Sequence, residues 1–249
     1  MPPDDNDEIL GRATGRHRGA NSEDPRLFAK SAEPALRDAV ADLSWLLGRG
    51  YAATSAVTIV GDRYGLHARQ RIAVARASCS DVSRDRRIAK AVALDDVAGC
   101  PVIVDGFNLL ITVEAALSGG VILQCRDGCY RDIASVHGSY RSVDETDRAL
   151  ILIGTALAAF NPSTVTWVLD RPVSNSGRLA ARIADHAARN GWNWTVELAM
   201  NPDKVLMSST DISVTSDSTI LDNVDRWANV AGHLIENVLS DLWIVDLRT

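Results

Sequence analysis

From Asp96 to the C-terminus, short apolar runs alternate with helix-patterned stretches, and this alternation constrains the fold more than any other feature of the 249-residue chain. Pro101–Asp105, Val121–Gln124, Thr164–Leu169, Trp194–Leu198 and Ile212–Thr215 each have the length and apolar content of a strand. Helical stretches fall at Leu109–Leu117, Asp144–Phe160, Ser176–Asn190 and Val224–Leu239, and Trp243–Leu247 is placed to close the sheet. Buried strands joined by helices form a mostly parallel sheet with helices on both faces. The expected class is therefore α/β, a three-layer parallel-sheet domain over residues 96–249.

Ahead of it, residues 25–95 pattern as a small helical module, and residues 1–24 are polar and aperiodic, as in a disordered tail. Leu36, Val40, Leu43, Leu46 and Leu47 recur at helical spacing until Gly48 and Gly50 stop the run. Ser55–Tyr64 and Leu66–Ser78 pattern as two further helices around Gly65. The last carries His67, Arg69, Arg71 and Arg76 without an acid, which resembles a helix-turn-helix. Arg69 and Arg71 are then candidate contacts to nucleic acid, with packing against the main domain as the plain alternative.

Charge is unevenly spread. The chain carries −6 overall, yet residues 60–95 hold eight Arg or Lys against four Asp, a local +4 that leaves −10 for the rest. A basic stretch joined to an acidic remainder suits a protein that grips a polyanion with one part and holds metal with another. The longest apolar run, Ala149–Phe160, has 12 residues including Gly154, whereas a membrane span needs about 20. No basic head and apolar stretch of a signal peptide follows Met1, so a cytoplasmic location without membrane contact is expected. Cys79, Cys100, Cys125 and Cys129 have no partner set at zinc spacing, and reduced structural thiols are expected.

Three strands end in, or lead directly to, an aspartate: Asp105, Asp170 and Asp217. Ligands of open parallel sheets bind outside the carboxyl ends of the strands. One such Asp is ordinarily a cap or turn residue. Three on one rim repel each other and raise each other's pKa, a cost that a divalent cation relieves. Hard oxygen donors without His or Cys point to Mg²⁺ or Mn²⁺, and such ions serve phosphodiester hydrolysis.

Val104-Asp105-Gly106-Phe107-Asn108, followed by Val214-Thr215-Ser216-Asp217-Ser218 and Asp222, resembles the PIN-like nuclease superfamily, its NYN-type branch in particular. The whole chain is similar to uncharacterised archaeal and bacterial proteins that join a short helical domain of unknown function to a PIN-like domain. Leu43-Ser44-Trp45-Leu46-Leu47-Gly48-Arg49-Gly50-Tyr51 and Pro172-Val173-Ser174-Asn175-Ser176-Gly177-Arg178 carry that similarity along with the Asp105 motif. The resemblance implies a metal-dependent ribonuclease. Asp105 and Asp217 would be metal ligands, Asp222 would support them, Asp170 would match the strand-end acid, and Asn108 would orient Asp105 or a water. For the remaining acid of the family, Asp127, Asp132, Asp144 and Glu145 compete.

Ser174, Asn175, Ser176 and Arg178 open a helix after Asp170 and are candidate phosphate contacts, although Ser174 or Asn175 also suits a plain N-cap. Arg126, in a charged loop, and the His137–Arg141 segment are candidate RNA contacts or a salt-bridged loop. His186 and His233 lack acid–base partners in reach and fit solvated or core positions. Trp45 and Trp167 fit the core, and one of Trp192 and Trp194 is expected at the surface.

The leading expectation is an endoribonuclease acting on structured or single-stranded RNA, with a homodimer as the expected assembly. A non-catalytic RNA-binding protein on the same fold is the alternative. A phosphohydrolase with Asp105 as covalent nucleophile ranks last, because Phe107 stands where such enzymes carry a second Asp.

Overall fold

The computed structural model describes residues 17–134 and 140–249. The first helices are α1 (Asp24–Leu27), α2 (Glu33–Gly48), α3 (Ala53–Arg63), α4 (Ala68–Ala77) and α5 (Asp81–Lys90). Then follow β1 (Pro101–Asp105), α6 (Gly106–Leu117), β2 (Val121–Gln124), β3 (Tyr130–Asp132) and α7 (Thr146–Ala159). Next come β4 (Thr164–Asp170), α8 (Ser176–Asn190), β5 (Trp194–Ala199), α9 (Pro202–Ser208) and β6 (Ile212–Val214). The chain ends with α10 (Ser218–Asn223), α11 (Val230–Asn237) and β7 (Trp243–Asp246).

The strands make two sheets where sequence periodicity suggested one. The larger is parallel throughout, with order β5-β4-β1-β6. Alternation along its strands sorts two cores. Val102, Val104, Trp167 and Leu169 face α6, α7, α8 and α11, whereas Ile103 and Val168 face α9 and α10 through Leu206, Ile220 and Leu221. This is a three-layer α/β arrangement, and Gly106 lets α6 start tight against β4. A Cβ at Gly106 would stand 2.9 Å from the Val168 carbonyl oxygen.

The smaller sheet has order β3-β2-β7, antiparallel between β2 and β3 and parallel between β2 and β7. Its Val121, Leu123 and Val245 bury against Leu36, Val40 and Leu43 of α2 and Val74 of α4. On its other face, Ile122 meets Ala115 and Ala116 of α6 and Ile235 of α11. The helical module is thus the outer layer of this second sheet, sharing one core with it.

Several expectations change as a result. Residues 1–16 lie outside the described residues, but 17–24 are ordered: Arg18 reaches Glu114, and the fully buried Asp24 takes both of its oxygens to Arg69, at 2.6 and 2.8 Å. Arg71 bonds the Leu66 and Thr58 carbonyls and Asp62, stapling α3 to α4. Arg69 and Arg71 are therefore internal braces and not free contacts on a recognition helix. Trp45 is 55% exposed with the Arg49 guanidinium over its ring, so the first-helix core does not contain it. The helix expected over Val224–Leu239 is shortened to α11; Val224–Asn229 is not helical, and Trp227 within it bridges to Ala91 and Ser213. No helix among the described residues is long and apolar enough to cross a membrane.

Candidate functional site

Strand order fixes where a ligand can enter. From β1 the chain proceeds to β4 and β5 on one side, then returns to β6 on the other side of β1. The crossovers diverge between β1 and β6, and the carboxyl end of that junction is the natural crevice. Asp105 ends β1, and the turn Thr215-Ser216-Asp217 follows β6 beside it.

Side-chain bonds lock these two strand ends together. Thr215 Oγ1 donates to Asp105 Oδ2 at 2.8 Å and accepts from the Asp217 backbone N–H at 3.0 Å. Asp217 Oδ1 then accepts from the N–H groups of Thr219 and Ile220, capping α10. Asn108 Oδ1 accepts from both the N–H and the hydroxyl of Ser216, at 2.8 and 2.9 Å. Asn108 thus aligns with its side chain the turn that carries Asp217, and its backbone amide also bonds the Asp105 carboxylate.

Burial pushes the Asp105 carboxyl up to about 7, the Thr215 bond opposes this, and the neighbouring Asp217 and Asp203 charges add to it. Burial raises Asp203 as well, helped by Asp217 and Asp170. Four acids therefore share one rim, and Asp203 is the member that sequence reasoning missed. It lies in the first turn of α9, where Asn201-Pro202-Asp203 follows the end of β5 and Asn201 caps the helix by accepting from the Lys204 N–H. A cap, a Pro and an Asp in succession mark a helix start, and that signal at a strand end was available in the sequence.

A cleft of about 190 Å³ is lined by Asp105, Asp170, Asp203, Phe107, Val168 and Pro202, among others. Asp170 Oδ1 is buried there without a hydrogen-bond partner. Among the described residues, no three His, Cys, Asp or Glu side chains converge tightly enough to hold one ion directly. The expected three-carboxylate ligand set is thus a looser rim.

Asp222 belongs elsewhere. Both of its oxygens accept from Arg87, at 2.9 and 2.8 Å, and Arg86 adds a third contact at 3.1 Å. Despite burial, these arginines hold its carboxyl below the usual range. It anchors α5 to α10, with both oxygens on arginines. Asp127 is likewise claimed by Arg87 and Arg131, which outweigh burial and bring its carboxyl down to about 2. Asp132 takes Arg76, Thr112 and the Ala134 N–H. His17 bonds Glu145 and stands 4.0 Å from Asp144. All four thus have partners of their own, and Asp132 also lines a cleft together with Asp217.

The candidate phosphate contacts divide. Ser176 is buried, its hydroxyl on the Arg171 carbonyl. Asn175, at φ 70°, donates to the Tyr140 carbonyl. Asn175 thus braces the Tyr140 segment, whereas Ser176 closes its own turn. Ser174 and Arg178 remain exposed at the start of α8. Arg126 is bound to Asp81, the Cys79 carbonyl and Thr249, which makes it a loop staple. Of His137–Arg141, residues 137–139 lie outside the described residues, and Tyr140 is buried with its hydroxyl on Glu114. His186 bonds Asp147 at 2.8 Å, and His233 packs edge-on against Phe160. Trp192 stacks on Trp194.

No solved structure matches the chain. The protein named "Uncharacterized protein MJ0935", from Methanocaldococcus jannaschii, is 32% identical over 197 residues, which is 78% of this chain and 94% of that protein. Residues 35–90 match a family described as a protein of unknown function (DUF434). Residues 94–233, more than half of the chain and the part that holds the acidic rim, match the family described as a domain of unknown function (DUF5616), and the chain belongs to that family.

Proposed function

We propose that this protein is a metal-dependent ribonuclease on a PIN-like fold, with its chemistry at the rim formed by Asp105, Asp170, Asp203 and Asp217. The observation that carries the reading is the carboxyl of Asp105, raised to about 7 by burial and by neighbouring acids at the junction where the sheet's crossovers diverge. A protein tolerates such a cluster when function requires it.

The donor chemistry fits Mg²⁺ or Mn²⁺. All four side chains offer hard oxygens, and the unpartnered Asp170 oxygen is costly unless something meets it. Mg²⁺ usually takes one or two carboxylates and keeps several waters, so a loose rim suits it better than a tight cage. What the ion supplies when bound is charge neutralisation at the phosphate oxygens.

The chain's own residues do the rest. With a divalent cation at the rim Asp105 would be held ionised, which suits a carboxylate that positions an attacking water and accepts its proton. Thr215 fixes the carboxylate through Oδ2 and ties it to the Asp217 backbone. Phe107, Val168 and Pro202 give the cleft apolar walls that strengthen each charge inside it. Ser174 and Arg178 are exposed at the α8 start, and we assign them to flanking phosphates.

The test is cleavage of a mixed RNA pool with Mn²⁺ by the parent chain and by Asp105→Asn. Metal-dependent products from the parent and none from the folded variant support the reading, and equal cleavage by both refutes it. The loose spacing of the carboxylates favours a second reading, a non-catalytic RNA-binding protein. That reading requires salt-sensitive binding without divalent ions and no products from either chain.

A further inference from the structure

We infer that a second cleft, between Phe107 and Arg76, seats one unpaired base of a single-stranded RNA beside the acidic rim; the identity of the strand rests on the ribonuclease reading. This cleft measures about 230 Å³ and shares Phe107 as a common wall with the acidic cleft. Asp217 lines it too, so a nucleotide held here lies next to the reacting centre.

Its lining matches a base better than a bare anion. Phe107, Ile111 and Ala134 supply apolar walls, and the Phe107 ring is propped by Tyr140 at 5.3 Å between centroids. Arg76 uses Nη1 on Asp132 and Nη2 on the Ala134 carbonyl. Among the described residues, its Nε–H and one Nη2 hydrogen meet no acceptor. Asn108 spends its oxygen on Ser216, and its amide hydrogens are likewise without an acceptor among the described residues. Asp132 and Asp217 add acceptors. Arg131 also lines the cleft but is spent on Asp127 and the Ser216 and Arg76 carbonyls, so an inorganic phosphate would face both carboxylates, whereas an uncharged ring with donors and acceptors on its edge is not repelled. A base can enter such a cleft only when unstacked and unpaired, which selects single strands over duplex.

The cleft also gives the helical module a part in recognition. Arg76 belongs to α4, whereas Phe107 and Asn108 belong to α6, so the two halves of the chain form it jointly. Arg76 is one of three arginines on that helix, and it lines the cleft while Arg69 and Arg71 do not.

Binding is measured on the full chain in EDTA by fluorescence anisotropy, with a labelled single-stranded oligoribonucleotide and a duplex of the same sequence. The parent, Phe107→Leu and Arg76→Met are compared, each checked for an intact thermal transition. Loss of one stacked base corresponds to about tenfold weaker binding. Each variant should lose about that much for the single strand and keep its duplex affinity. A nucleoside monophosphate should displace the strand where inorganic phosphate at the same concentration does not. Unchanged single-strand affinity in the folded variants, equal parent affinity for duplex, or equal competition by phosphate would overturn the inference. If Phe107→Leu does not fold, Arg76→Met alone decides. Because binding is read without divalent ions, the cleft can fail while Asp105-dependent cleavage stands, and the reverse.

Discussion

Replacing Asp105 by Asn should make the protein more stable, by an amount that depends on pH. The folded state holds this carboxyl at about 7 against an ordinary 3.8, so above pH 4 the unfolded chain is ionised while the folded chain still holds its proton. The native state then binds more protons than the unfolded state, and stability falls as pH rises from about 4 to about 7. The full shift corresponds to roughly 4 kcal/mol. Solvent reaching the partly exposed side chain reduces this to about 2–4 kcal/mol. Asn keeps the shape and can accept the Thr215 bond, but it carries no charge. Urea unfolding of both chains at several pH values, without divalent ions, should show no advantage for Asp105→Asn near pH 4. The advantage should grow through pH 5 and 6 and level off above 7. Taking differences between the chains cancels the titrating groups that are not coupled to Asp105, leaving only the neighbouring Asp203 and Asp217. An advantage that does not change with pH, or a variant less stable than its parent at pH 8, refutes the reasoning.

Other outcomes test the rest of the architecture. Arg87 is buried between Asp127 and Asp222, and Arg87→Met leaves both acids short of a partner; unfolding measurements should show a loss of roughly 3–5 kcal/mol. Leu43→Ala removes a fully buried side chain shared by α2 and the second sheet and should cost about 2–5 kcal/mol. Hydrogen exchange should then lose protection in α2, β2 and β7 together, whereas loss confined to α2 would show a separate module. Trp45→Ala, at an exposed position, should alter stability by less than about 0.5 kcal/mol in the same assay.

Much of the larger sheet could be read in the sequence, and the reason is local. Strand-length apolar runs ending in Asp105 and Asp170 needed no partner to be recognised, and the helix Ser176–Asn190 was bounded by its own polar turn and Gly191. What escaped was decided by distant partners. Strands β2 and β7 pair across more than a hundred residues, and runs of four residues do not declare which sheet they join. The role of an arginine is equally non-local: Arg69 looked free until Asp24 was found beneath it. Asp222 fits a family motif by spacing, but its oxygens face α5, an element the periodicity had not marked. Trp45 followed the apolar stripe of its helix, yet only the packing of α2 could show that the stripe is narrower than the periodicity implied.

The central claim is that the Asp105 rim takes a divalent cation. A crystal of the full chain soaked in Mn²⁺ and read for anomalous scattering tests it most directly. The account predicts a peak among Asp105, Asp170, Asp203 and Asp217, lost in Asp105→Asn. A rim without a peak, in a crystal whose other carboxylates do bind Mn²⁺, would contradict it.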